Sequence, residues 1–335
     1  MQPNLDETRI PVRQRAQVKR KTVLRTWVTT SLWVMYLAVF GVVGSLAGWL
    51  FRNTSANKVI LPIIRNTPPE ETFGKDVVNI LLLGCDEELY YGGKQVLKRA
   101  GRADMILMAR LDFKKNTITG ISVPRDTRCQ LPGDESHKIN AYHNLAPKGQ
   151  EAQAQKEAVE HLTGVKFDKV IVLDYLAFQD LIDTVGGVTV TIKDVMKYTD
   201  RAASLYIDFK PGVKKLDGYD AMCYVRFRKD KGGDFKRTER QRQLLVAFKG
   251  EVMKNWTRLP EIVAQGVKVF GKGMNEGEIA ALANFSKKVP PTSIKMLRLP
   301  TGRGRGSFEE LDVRGATKLL TEHGYLGTIE EPKAE

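Results

Sequence analysis

Between Arg226 and Arg242 the chain places eight Lys or Arg against three acids. Within that stretch Arg226 and Arg228 flank Phe227, so in extended backbone both guanidiniums point to one side. Arg237 and Gln241 are four apart and share one face of a helix, with Arg240 beside them. Gly232 and Gly233 let the intervening chain, which also carries Asp234, turn sharply. Planar guanidiniums grip phosphate through paired hydrogen bonds. Several of them converging on one place repel each other unless an anion sits between them, and a pyrophosphate is such an anion. A solvated basic helix face has the same composition.

Three further places carry matching chemistry. The run Leu83-Gly84-Cys85-Asp86 puts a carboxylate just past an apolar strand, where α/β sheets place ligands and where a turn Asp also belongs. In Gly101-Arg102-Ala103-Asp104 the Arg and Asp are two apart, on one face if extended. They form either a simple salt bridge or a phosphate ligand beside a magnesium ligand. With Asp86 the set offers two carboxylates, enough for magnesium, which keeps several waters and shares phosphate oxygens. Pro124-Arg125-Asp126-Thr127 closes another strand and presents Arg125 at the same edge, and Lys138-Ile139-Asn140 follows a loop. Each alone is an ordinary surface charge.

These residues need a scaffold, and the apolar pattern supplies one. Val77–Leu83, Met105–Leu111, Thr117–Val123, Val170–Leu173 and Val188–Ile192 read as strands, with a hairpin turn at Lys114-Lys115-Asn116. Gln150–Leu162, Tyr175–Val185 and Arg237–Trp256 read as helices, followed by helices at 276–287 and 309–322 and a strand near Ile294–Leu299. The alternation predicts an α/β domain of three layers, α/β/α, with a mixed central sheet, over residues 74–325. The 335 residues, 42% hydrophobic and 27% charged, exclude a disordered or collagen-like chain. Cys85, Cys129 and Cys223 are an odd set without paired spacing, which excludes a disulfide scaffold and a zinc site. One pair is left open as a bridge. Cys85 reads as a small buried hydrophobe, because no His motif accompanies it.

Thr26–Phe51 holds 26 residues without a charge, roughly 39 Å as a helix at 1.5 Å per residue, against the bilayer's hydrocarbon core of about 30 Å. Trp27 and Trp49 sit at its edges. It reads as a single transmembrane helix rather than a cleaved signal, whose apolar core is shorter. Residues 1–25 carry seven basic groups against Asp6 and Glu7, which keeps this tail cytoplasmic and everything after Arg52 outside. Residues 52–73, with three prolines, read as a linker and 326–335 as a tail. The tail contributes +5 and Arg52 +1, which leaves +8 of the net +14 on residues 53–335. The surplus asks for an anionic partner, and its place outside the cytoplasm argues against nucleic acid.

The runs LLLGCD, GRAD, PRDT, KIN, DYLAFQDLIDTVGGV, LDGYDAMCYVRFR and D-x-x-R-x-x-R-Q, in this order over residues 77–256, resemble the LytR-CpsA-Psr family of bacterial cell-wall glycopolymer ligases. The resemblance implies a phosphotransferase that moves a glycopolymer from a polyprenyl-pyrophosphate carrier onto a peptidoglycan or other envelope hydroxyl, releasing polyprenyl phosphate. It implies a membrane lipid tail in an apolar tunnel, partly walled by residues 170–185, and Mg2+ held by Asp86 and Asp104. It further implies pyrophosphate contacts from Arg102, Arg125, Arg226, Arg228, Arg237 and Gln241, supported by Lys138 and Asp234. The general base is Asp104 or Asp86, with Asp234 as a third choice. Rival readings are a lipid-pyrophosphate hydrolase or carrier and a membrane-bound transcriptional attenuator. His143 departs from the family pattern without an evident partner, and no functional residue carries over after about residue 260.

Overall fold

The computed structural model describes Met35, Ala38, Val39, Gly41, Val42, Gly44, Ile63, and residues 65–85, 88–91, 94–98, 101–200, 205–227, 233–255, 258–270 and 273–327. Backbone alone is described for 88–91, 94–98, Asp174, Asp200, 233–235 and 259–260. Residues 1–57 and 58–335 form two separate units. In the first, the six described residues are helical and exposed. The Thr26–Phe51 span therefore lies almost wholly outside the described residues, among which no helix is long and apolar enough to cross a membrane.

The second unit is built on a five-stranded sheet of β1 (Val77–Cys85), β2 (Ala103–Asp112), β3 (Thr117–Val123), β4 (Lys169–Asp174) and β5 (Ile294–Arg298). Their order across the sheet is β5-β3-β2-β1-β4. β2 runs antiparallel to β1 and β3, while β4 lies parallel to β1 and β5 parallel to β3. This is the mixed sheet the sequence predicts. β1 is apolar on both faces because both are covered. Leu81, Leu83 and Cys85 enter one core, and Val78 and Ile80 the opposite one. Full burial of each such Leu contributes roughly 1.5–3 kcal/mol.

Helices cover both faces. In chain order they are α1 (Pro69–Phe73), α2 (Glu151–Thr163), α3 (Tyr175–Thr184), α4 (Gly218–Arg226), α5 (Gly233–Lys254), α6 (Leu259–Phe270), α7 (Glu276–Lys288) and α8 (Val313–Glu322), with a single helical turn, Tyr142–Leu145, ahead of α2. Ala158 and Val159 of α2 and Ala316 and Leu320 of α8 pack on the Leu81 side. Phe285 of α7 packs on the Val78 side, edge-on to Phe113 at 5.0 Å. A third core lies under two β-ribbons, Val188–Ile192 with Gly212–Leu216 and Met196–Asp200 with Leu205–Phe209, and is closed by α3, α4 and α5.

Most expected boundaries shift by a residue or two, and the larger shifts have local causes. The 309–322 helix divides into a short strand, Glu309–Leu311, and α8, because the Asp312 side chain accepts from Gly315 N and starts the helix there. α5 begins at Gly233, well before Arg237. Within the stretch read as a linker, Pro69–Phe73 is helical: Phe73 stacks on Phe113 at 5.6 Å and Asn284 of α7 donates to Thr67 O.

Candidate active site

Pairing register places one end of the sheet where the chemistry-bearing residues are. Cys85, the last residue of β1, pairs with Asp174 at the end of β4 and with Ala103 at the start of β2. Across β2, Ile106 pairs with Val123, the last residue of β3, whose Ser122 pairs with Arg298 at the end of β5. Five strand ends thus meet at one rim, and the segments after β1, β3 and β4 and before β2 all leave from it. Carboxyl strand ends are where open α/β sheets bind ligands.

Asp104 reaches this rim by an irregularity. Gly84 pairs with Met105 but Cys85 with Ala103, so Asp104 is the extra residue of a β-bulge. Its N–H donates to Arg102 O at 3.0 Å, a tight three-residue turn. Arg102 lies just before the strand rather than in it, so the extended geometry that would put it on one face with Asp104 does not apply. Arg102 is exposed, and Asp104 is turned inward.

The Asp104 carboxylate accepts from Arg125 Nη1 at 2.8 Å through Oδ2 and from Asn140 Nδ2 at 3.1 Å through Oδ1. Asp126 continues the chain, holding Lys138 Nζ at 2.7 Å and lying 3.6 Å from Arg125 Nε. Asn140, Asp104, Arg125, Asp126 and Lys138 therefore form one connected group. The protein's own carboxylates balance Arg125 and Lys138, so the repulsion that seemed to demand an external anion is relieved at these two. Bonding capacity nevertheless remains: Arg125 Nε and Asn140 Oδ1 are buried without a hydrogen-bond partner. One is a spare donor and the other a spare acceptor, at opposite ends of the Asp104 carboxylate.

Arg237 joins from α5. Its buried guanidinium donates to Ser122 Oγ at 3.1 Å, three residues before Arg125. Gln241, one turn along in α5, shares that helical face as expected, and its Oε1 is buried without a donor. Arg226 is not in extended backbone; it ends helix α4, and Phe227 is the buried cap residue. Its guanidinium lies 4.5 Å over the ring of Tyr175, which directly follows β4 at the rim. Arg240 serves the fold, donating to Phe227 O and lying over that ring. Asp86, Arg228 and the Asp234 side chain lie outside the described residues.

The sequence reading missed the supports. His143 is buried, its Nδ1 2.8 Å from Gly101 O, and its N–H donates to Gln155 Oε1 at 3.2 Å. Gln155, fully buried on α2, donates to Ile139 O. These bonds tie the turn bearing Lys138 and Asn140 to the segment that leads into Asp104. His143→Ala is expected to cost about 2–3 kcal/mol, through the lost bond and the cavity left behind, read as a lower urea midpoint at constant slope. A change under about 0.5 kcal/mol, the range of an ordinary surface site, would show that Gly101 is held by other means.

Asp104 and Asn140 present the hard oxygens magnesium prefers, a carboxylate and an amide oxygen with no other bond. No group of three His, Cys, Asp or Glu suited to a metal occurs among the described residues. Magnesium does not require one, since it completes its shell with water and phosphate, and the residues fit it. The cysteines are buried thiols, Cys85 in the core as expected. Burial pushes Cys129 and Cys223 up to about 11, far from a thiolate nucleophile.

A sequence profile of the LytR_cpsA_psr family matches residues 49–322. TagV of Bacillus subtilis (strain 168), a polyisoprenyl-teichoic acid–peptidoglycan teichoic acid transferase, is 32% identical over 264 residues, 74% of this chain and 65% of its own. TagU of the same organism, with the same activity in its name, is 30% identical over 75% of this chain and 78% of its own. The regulatory protein MsrR of Staphylococcus aureus (strain COL) is 29% identical over 58% of this chain and 55% of its own. The matched chain thus spans less than two thirds of TagV and of MsrR. The crystal structure of TagV superposes with a TM-score of 0.57 at 28% identity, over 74% of this chain and 97% of that one.

Proposed function

The chain belongs to the LytR-CpsA-Psr family, and on that premise we propose that it transfers a glycopolymer from a polyprenyl-pyrophosphate carrier to a hydroxyl of peptidoglycan. The observation that carries this reading is the Asn140–Asp104–Arg125–Asp126–Lys138 group at the sheet rim, with Arg237 and Arg226 on the same rim. It combines fixed guanidiniums with unspent bonding capacity, as binding and polarising a phosphoanhydride demands. The names of TagV and TagU point the same way.

In the proposed reaction an acceptor hydroxyl attacks the phosphorus bonded to the glycan. A new P–O bond forms, the bridging P–O bond to the lipid phosphate breaks, and the hydroxyl proton passes to a carboxylate. Polyprenyl phosphate leaves. Little covalent work falls to the protein, so positioning and charge stabilisation supply most of the rate. Arg125 sits where it can donate to a phosphate oxygen through its outer N–H groups while Nη1 stays on Asp104. Arg237, anchored on Ser122, adds a second guanidinium from the α5 side. Asp104, 2.8 Å from Arg125, is the candidate base among the described residues, with Asp86 and Asp234 as alternatives. Bound magnesium, held by Asp104 and Asn140 with Asp86 as a further ligand, would neutralise charge on the leaving phosphate.

The proposal includes a single-pass anchor at Thr26–Phe51, a cytoplasmic tail and an outer catalytic domain, because the donor lipid is confined to the membrane. The test is to feed a lipid-pyrophosphate glycan to the detergent-solubilised chain with and without peptidoglycan. A phosphodiester-linked adduct appearing only with acceptor is the expected result. Free glycan phosphate in both tubes, with no adduct, would make the protein a hydrolase. The name of MsrR favours a regulatory reading, which requires a cytoplasmic domain. Full protection of residues 74–325 from protease added to intact cells would support it against the transferase.

A further inference from the structure

The region after residue 260 holds a second basic element at the same rim, which the transfer reaction as proposed does not use. Thr301–Arg303 and Glu309–Leu311 form a hairpin in which Arg303 pairs with Glu309. Glu309 bridges in turn to Thr127, and its N–H donates to Asp126 O at 2.9 Å. Three strands thus lie side by side, and at about 4.8 Å per strand the Arg303 backbone is about 10 Å from Thr127, two residues past Arg125.

The acids at the hairpin root are already spent. Glu309 holds Arg298 at 2.6 Å and Glu310 holds Arg128 at 2.7 Å, with Arg128 stacked over Phe308. The tip keeps two exposed arginines, Arg303 and Arg305, with no ion pair among the described residues. Gly302, Gly304 and Gly306 separate and flank them. Gly306 has φ +65° and makes the turn, while at Gly302 an added Cβ would meet nothing within 4 Å. Packing does not ask for glycine at 302; its absence of a side chain leaves the guanidiniums unobstructed.

We propose that this hairpin is a second anion site, which holds phosphate groups in the body of the glycopolymer beyond the pyrophosphate. This rests on the transferase reading, and it makes the donor a phosphate-bearing polymer rather than a neutral one. Two forked guanidiniums with no acid of their own, with one strand between them and the segment that carries Arg125 and Asp126, suit a polyanion threaded past that segment.

The test uses the full chain in detergent and lipid-free poly(glycerol phosphate) as probe, with an uncharged dextran oligomer for comparison. Arg303→Gln with Arg305→Gln is compared with Lys114→Gln and Lys115→Gln, which remove the same charge at the opposite end of the sheet. The arginine pair is expected to weaken polymer binding tenfold or more, the lysine pair less than twofold, and dextran binding not to respond to either. Equal losses in both variants would mean the overall positive field suffices, and no loss in either would leave the hairpin without a ligand; each overturns the proposal. Weaker binding to phosphatidylglycerol vesicles with unchanged polymer binding would make the loop a membrane contact and overturn it too. The readout is binding, so a chain that holds polymer through these arginines yet transfers none would defeat the transferase reading alone.

Discussion

Arg125→Ala is expected to slow transfer at least about thirtyfold, about 2 kcal/mol of transition-state stabilisation, with the larger part in kcat. Arg125 follows directly on β3 and Pro124, so the rigid sheet edge aims it, and Asp104 and Asp126 hold the guanidinium from two sides. Its loss removes the spare Nε donor and leaves two carboxylates facing each other with only Lys138 and Asn140 between them. Arg125→Lys keeps the charge and loses the planar fork, so partial recovery is expected. The Arg125 side chain is 38% exposed, so the fold should barely respond, and thermal unfolding serves as the control. Normal turnover of a folded Arg125→Ala protein would remove this residue from the site and, with it, the central link of the proposed group.

Asp104→Asn is expected to reduce transfer by about two orders of magnitude and to raise the magnesium concentration needed for half-maximal rate. The shape is kept, but an amide offers one acceptor where the carboxylate offers two. Arg125 Nη1 and Asn140 Nδ2 both require acceptors at this position, so one of them ends up facing an NH2. A hydrogen bond to a charged group contributes about 1.5–3 kcal/mol when buried. At 29% exposure Asp104 is partly screened, so the stability loss stays near about 1 kcal/mol while the rate loss is larger. An unchanged magnesium titration in the mutant would exclude Asp104 as a ligand, whatever its effect on rate.

The framework of the domain was legible in the sequence because its signals are local. Thr117–Val123 and Val188–Ile192 are strands over the expected residues, and Gly164, in left-handed conformation at φ 72°, ends α2 by donating to Glu160 O. The site was legible in residue types but not in partners. Asp104 with Arg125, and Arg237 near the same strand, were singled out from spacing and resemblance. That Asn140 rather than Arg102 stands beside Asp104 depends on a bulge, which depends on how two strands slip against each other. Arg-Phe-Arg puts both guanidiniums on one side only in extended backbone, yet the helix begun by Asp217 runs on to Arg226 before Phe227 turns away. The His143–Gly101 and Gln155–Ile139 bonds join segments 16–42 residues apart, beyond the reach of any local pattern. The role of Asp126 as counter-ion to Lys138 was equally invisible, because an acid next to an Arg reads as that Arg's partner.

The out-of-step residue in β2 has a mechanical consequence. A carboxylate mounted on a strand cannot drift as one on a loop does, so its aim is as stiff as the apolar layers beneath it. A Cβ on Gly84 would stand 2.9 Å from Met105 Cβ, immediately beside that mount. Crowding there would tilt the acid away from its target before it loosened the barrel of side chains around it, so damage at this spot would surface first as misdirected reactivity in a protein that still melts normally.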